Sequence, residues 1–379
     1  MTNVAIKNTI SHRFQQLDSL RGIAALCVFI SHYLLAFNID VHSSWIFRFT
    51  PLGILLNGRA AVIFFFVLSG FVLTLPFLNP GKPLKLLPFY LKRVLRIYPA
   101  YLAAIAFAVV LKSSVYNPTA MHSFSPWISG FWTWQLNAKY VTELLKTCLL
   151  IGPNFNGDLI DPVIWSLVVE MKISLVIPFF IMLVNRCNLY FNVLFFVLTN
   201  MIIYNHSFGY LGIFYMGIVL AKYRFYLIKK LNNIHLLLLA FVGIIAIYLY
   251  NISFLSFMPY GDKRHPFAFF WRDYTTAISG CTILIISLCK TSFVDILNAK
   301  PFIFIGRVSY SFYLLHLPII ITICSLVGSA SLCGKLIILI TAIFLSLIMA
   351  YFSYLFIEVP FQKLAKQLAA KWFRKKISI

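Results

Sequence analysis

Charge is what this chain has least of. Only 11% of its 379 residues are Asp, Glu, Lys or Arg, and ten in all are acidic, whereas 61% are hydrophobic. A soluble fold cannot hide so much apolar surface, so a water-soluble globular domain is excluded and an all-α, polytopic transmembrane helical bundle is expected. The shortage of acid leaves a formal net charge of +22, which raises nucleic acid as a partner. That class is excluded too, because the basic residues sit in short segments between apolar runs and at the C-terminus. Cysteine offers little: Cys27, Cys281, Cys289 and Cys324 fall in apolar runs and Cys187 in an expected cytoplasmic turn. Only Cys148 and Cys333 reach an oxidising side, and their spacing argues for neither a bridge nor a metal site. Internal repeats, low-complexity linkers and an appended soluble domain are missing, so residues 1–379 read as one membrane domain ending in a basic cytoplasmic tail, 362–379. That tail fits anionic lipid headgroups. No small-residue cleavage site follows the first apolar run, which reads as an uncleaved span.

What is present is a series of about ten apolar windows bounded by charge, Pro, Gly or Asn: 18–38, 60–78, 97–112, 163–184, 189–205, 207–222, 234–251, 274–290, 303–327 and 335–356. Most Lys and Arg fall on one side of them, and Asp40, Glu143, Asp158, Asp161, Asp262 and Asp273 on the other. The basic bias puts both the N-terminus and the C-terminus in the cytoplasm. The long outer segment from Ser113 to Pro162 carries Trp127, Trp132, Trp134 and Tyr140. It reads either as an interfacial aromatic belt or as a platform for an arriving sugar or lipid.

Within the first window Arg21 and His32 are separated by eleven positions. Three helical turns and about 20° put them on one face, about 16 Å apart along the axis. A cation near one membrane surface and an imidazole deeper in line with it are costly unless that face lines something polar. Arg93 and Arg96, at i and i+3 in KRVLRIYP, suit a phosphate, since guanidinium forks bind oxyanions bidentately; they also fit the ordinary basic flank of a span. PVIWSLVVEMKIS sets Ser166 and Glu170 on one face, with Glu170 at a depth that matches His32. A carboxylate there would fix the imidazole's tautomer; pairing of Glu170 with Lys172 is the alternative. Ser309, Tyr313 and His316 form one stripe in GRVSYSFYLLH, which interhelical hydrogen bonding also explains. Ser69 and Gly70 lie in an aromatic run where Gly permits close helix approach. Pro360, after Glu358, reads as a helix stop.

The ordered set LDSLRGIAALCVFISH, FFVLSGF, KRVLRIYP, WSLVVE, GRVSYSFYLLH and IEVPF, spanning 17–361, resembles the acyltransferase-3 family of integral membrane proteins. The resemblance implies a ten-span bundle that moves an acyl group, usually acetyl, from cytoplasmic acetyl-CoA to a hydroxyl of a carbohydrate or lipid-linked glycan. The esterase-like periplasmic domain fused in some members is expected to be absent. By the same resemblance His32 is the catalytic histidine, Arg21 its signature partner, and Arg93 and Arg96 the paired arginines, plausibly at the donor. Ser309 and Tyr310 are expected at the donor as well, and Ser69, Trp165 and His316 at the acceptor. His32 is then a general base oriented by Glu170, with a transient acyl-His as a second route. Acetyl-CoA is a co-substrate, no metal is expected, and the setting is a bacterial inner membrane. The favoured acceptor is a surface polysaccharide such as a lipopolysaccharide O-antigen. A transporter or flippase of a lipid-linked saccharide, which needs the same buried charges, is the alternative.

Overall fold

Apolar windows of this length, with every backbone group needing a partner inside lipid, leave helix as the available conformation. A computed structural model describes residues 14–39, 46–47, 50–78, 85–134, 138–150, 160–202, 207–252, 266–289, 291–328 and 331–375, and among these there is no strand. The helices are α1 Gln15–Ala36, α2 Gly58–Thr74, α3 Leu86–Ser114, α4 Pro118–Met121, α5 Pro126–Ser129, α6 Ala138–Leu149, α7 Ile164–Arg186, α8 Leu189–Ile202, α9 Leu211–Asn232, α10 Leu236–Tyr250, α11 Pro266–Ile286, α12 Ser292–Leu297, α13 Lys300–Val327, α14 Leu332–Ser353 and α15 Val359–Lys375. Each of the ten apolar windows is occupied by a helix. Seven helical segments are long and apolar enough to cross a membrane, namely Gln15–Ala36, Gly58–Phe77, Leu86–Ser114, Ile164–Arg186, Leu211–Asn232, Lys300–Val327 and Leu332–Lys371. Asp40, Asp158, Asp262, Lys263 and Arg264, on which part of the orientation argument leans, lie outside the described residues, as does the side chain of Tyr140.

The centre is the pair α1 and α13, with α2 packed on α1 and in turn against α9 and α11. Small residues make that possible. A Cβ on Gly22 would lie 2.6 Å from the Gly306 amide nitrogen, and one on Gly306 only 2.3 Å from the Asp18 carbonyl oxygen. The two backbones therefore touch there, the close approach that glycine permits between membrane helices. α2 and α9 meet in the same way at Gly70 and Gly217.

Among the helix ends that differ from the sequence expectation, two involve proline. The third window begins at 97, yet α3 starts at Leu86 and runs through Pro99. The proline removes one amide bond to the preceding turn, a loss that membrane helices tolerate when neighbours satisfy the freed carbonyls. Arg93 and Arg96 are consequently on the helix rather than before it. Pro360, read as a stop, lies inside a helical run that continues unbroken from Leu332. It follows a single π-helical turn, Tyr354–Glu358, and the tail continues helically to Lys375. At the far end of α7, Lys222 Nζ donates to Val184 O and Cys187 O, both at 2.7 Å, covering carbonyls that a helix terminus leaves unpaired.

Candidate active site

His32 lies one turn from the end of α1. From Gly22 to His32 is ten residues, and from Gly306 to His316 is also ten. Parallel helices touching at the glycines therefore bring the two histidines level, about 15 Å further along. His32 Nδ1 is 2.9 Å from His316 Nε2, and the ring planes are within 8° of parallel, with centroids 5.2 Å apart. His316 is fully buried. Its Nδ1 faces the carbonyl oxygens of Tyr313 at 2.8 Å and Phe312 at 3.2 Å, and the Phe29 and Phe312 rings flank it. The Ser125 amide donates to Ala36 O at 3.0 Å, tying the short helix α5 to the end of α1. That contact sets Trp127 against the His32 ring, with centroids 5.3 Å apart.

From the histidine pair a run of polar side chains descends through the bundle. One turn back along α13, Tyr313 OH meets Ser166 Oγ of α7 at 2.8 Å. One turn along α7 from Ser166, Glu170 accepts from Ser69 Oγ at 2.8 Å and pairs with the Arg93 guanidinium. Arg93 Nε donates to Ser174 Oγ at 2.9 Å, and Ser174 Oγ donates back to Glu170 O at 2.6 Å. Three helices, α2, α3 and α7, are thus pinned by one buried ion pair. One turn further along α3, Arg96 is exposed, within electrostatic reach of Glu170 and Glu358. Arg21 pairs with Asp18 at 3.1 Å. Near the level of His32, Arg59 grips Asp273 with two hydrogen bonds of 3.0 and 2.7 Å and donates to Tyr210 OH at 3.3 Å. Trp165 packs with Tyr210 and Phe66 beside that pair.

A family model described as an acyltransferase domain, that of acyltransferase-3 proteins, matches residues 14–357. The chain belongs to the acyltransferase-3 family. Similar curated proteins include the O-acetyltransferase OatA of Staphylococcus aureus strains NCTC 8325 / PS 47, COL and MRSA252, each 25% identical over 381 residues, covering 92% of this chain and 57% of the relative. The chain therefore spans a little over half the length of those relatives. No solved structure matches it.

In this acyltransferase-3 chain the expected site residues separate into two groups. His32 and His316 come together, and Arg93, Glu170 and Ser69 come together. The expected contact between His32 and Glu170 does not form: the turn between them is filled by Tyr313 and Ser166, and the carboxylate is taken by Arg93. His316, expected at the acceptor, is enclosed with both ring nitrogens engaged. Ser309 Oγ, expected at the donor, turns back to Gly306 O at 2.8 Å, and Tyr310 OH donates to Ile97 O at 2.8 Å. Ser174, the Arg59–Asp273 pair and the burial of Glu358 against the Ser311 amide and hydroxyl were not anticipated. Trp132 and Trp134 are buried, and the Trp132 indole donates to Ile160 O at 2.8 Å. Of the three described tryptophans in the outer segment, Trp127 is the one at the histidines.

Proposed function

We propose that this protein is a membrane O-acetyltransferase that takes acetyl from cytoplasmic acetyl-CoA and delivers it to a hydroxyl of a bacterial surface polysaccharide, with a lipopolysaccharide O-antigen sugar as the particular acceptor. In this reading ten helices cross the inner membrane with both termini cytoplasmic. The observation that carries it is His32, an imidazole set inside the bundle about 16 Å along α1 from Arg21, with a polar run leading from it toward the arginines of α3. That length is on the scale of the pantetheine arm. Arg96, exposed on α3, together with Arg21, supports a phosphate-binding mouth, while the Arg93–Glu170 pair holds the surrounding helices.

His32 Nε2 takes the proton of the acceptor hydroxyl as that oxygen attacks the thioester carbonyl. The new C–O bond forms, the C–S bond breaks, and the proton passes from His32 to the departing thiolate, giving the acetyl ester and free coenzyme A thiol. Two measurements test this. Purified protein should release free thiol from acetyl-CoA only when surface polysaccharide from cells lacking the protein is added. Mass spectrometry of glycans from cells with and without it should differ by one acetyl group per modified residue. Translocation of a lipid-linked saccharide without thiol release would establish the carrier instead.

A further inference from the structure

We propose that His316 is a positioning residue that holds His32 through Nδ1, so that the Nε2 lone pair of His32 faces the acceptor hydroxyl; the inference rests on the acyl-transfer reading of His32. The tautomers follow from the hydrogen-bond network. His316 Nδ1 faces two carbonyl oxygens, at 2.8 and 3.2 Å, and a carbonyl can only accept. Nδ1 of His316 therefore carries hydrogen, and in the neutral ring the lone pair lies on Nε2. That Nε2 is 2.9 Å from His32 Nδ1, so the bond between the rings needs a hydrogen on His32 Nδ1. The lone pair of His32 is then on Nε2, to which no protein group among the described residues is hydrogen-bonded.

This is the less common tautomer. An imidazole side chain in water favours hydrogen on Nε2, a form with no lone pair there to accept a proton. Something must impose the other one, and the carboxylate that does so in many hydrolytic sites is here engaged elsewhere, on Arg93. A second histidine does the same work without bringing a charge into the bilayer. The carbonyls of Phe312 and Tyr313 set the tautomer of His316, His316 sets that of His32, and Trp127 lies against the His32 ring to limit its rotation. His316 touches no route to the substrate, being fully buried, so it acts through His32.

The test uses the full chain in lipid nanodiscs with acetyl-CoA and the polysaccharide extracted from cells lacking the protein. His316→Leu fills the space without an acceptor. It should lower kcat by about 10²-fold or more, the scale of losing a correctly protonated base, with the donor KM within about threefold. His316→Gln puts an amide oxygen where Nε2 was and should recover at least tenfold of that loss. Nitrogen-15 spectra of histidine-labelled protein read the tautomer directly, the His32 signals being those missing from His32→Ala. Expected are hydrogen on Nδ1 in the native chain and His316→Gln, and hydrogen on Nε2 in His316→Leu. Should His316→Leu not fold, His316→Asn keeps the donor toward the carbonyls, removes the acceptor, and should show the same loss. Native kcat in the folded variant lacking the acceptor, or an unchanged His32 tautomer, overturns the proposal. An active His32→Ala protein would instead overturn the acyl-transfer reading of His32, while the spectra still report the pairing.

Discussion

Removing one partner of the Arg93–Glu170 pair should cost more than removing both. Arg93 is 7% exposed, and the side chains are 8% and 24% exposed respectively. In Arg93→Met the Glu170 carboxylate keeps only Ser69 as a hydrogen-bond donor, and in Glu170→Met the guanidinium keeps Ser174. Stripping one member from a buried pair costs about 3–5 kcal/mol because the other is left as an uncompensated charge. The partial exposure of Glu170 points to the lower end, about 3 kcal/mol, which at roughly 2 °C per kcal/mol lowers Tm by about 6 °C. The double variant Arg93→Met/Glu170→Met buries no charge. It loses the hydrogen bonds to Ser69 and Ser174, about 1 kcal/mol each, and should sit only about 4 °C below the native chain. Thermal unfolding in detergent, read by a thiol-reactive dye on the buried Cys27, Cys289 and Cys324, measures all four corners of the cycle. If the double variant loses the sum of the two single losses, the pair is not coupled and the reasoning fails.

Three further outcomes follow from the same geometry. His32→Ala should lower thiol release by about 10²–10⁴-fold while inserting in the membrane normally, checked by fractionation and by an unchanged Tm. Arg96→Ala should raise the donor KM about tenfold or more, the worth of a charge-assisted hydrogen bond to phosphate, with the acceptor KM unmoved; equal effects on both would remove Arg96 from the donor mouth. Gly306→Val forces a branched side chain into a space where even a Cβ would approach the Asp18 carbonyl to 2.3 Å. The α1–α13 contact should open and activity vanish, with a Tm drop exceeding that of the exposed change Leu332→Val.

The main helices were legible because apolar length alone decides them: each of the ten windows holds a helix, while the short helices α4, α5, α6 and α12 carry no such run. The shared face of Arg21 and His32 was equally legible, since it depends on one helix and its period. What a single helix cannot show is its neighbour. Glu170 matched His32 in expected depth, and the match in depth was mistaken for contact; which side chain fills the intervening turn depends on how α7 and α13 pack, and Tyr313 with Ser166 fills it. The signal for the right partner was nevertheless on the page of the sequence. RGIAALCVFISH and IGRVSYSFYLLH each place a histidine ten residues after a glycine, and two such helices touching at their glycines must bring their histidines level.

Proline misled once: Pro360 was expected to end a span, a reading that assumes the missing amide has nowhere to be accommodated. In α3 the helix carries on through Pro99, and this is what brings Arg93 inside to meet Glu170. After α14 the helix runs through a π-turn and past Pro360 without a break, and Glu358, in that π-turn, meets Ser311 of α13. Both helices put a charged side chain in the interior of a chain that has very few of them. Of the ten acids in 379 residues, Asp18, Asp161, Asp273 and Glu358 are buried and Glu170 is half-buried among the described residues. Asp18, Asp273 and Glu170 pair with arginines, Asp161 accepts from the Val163 amide, and Glu358 accepts from the backbone and hydroxyl of Ser311. Among the described residues the hydrogen-bond partner of His32 is a neutral histidine, an arrangement that suits such an economy of charge.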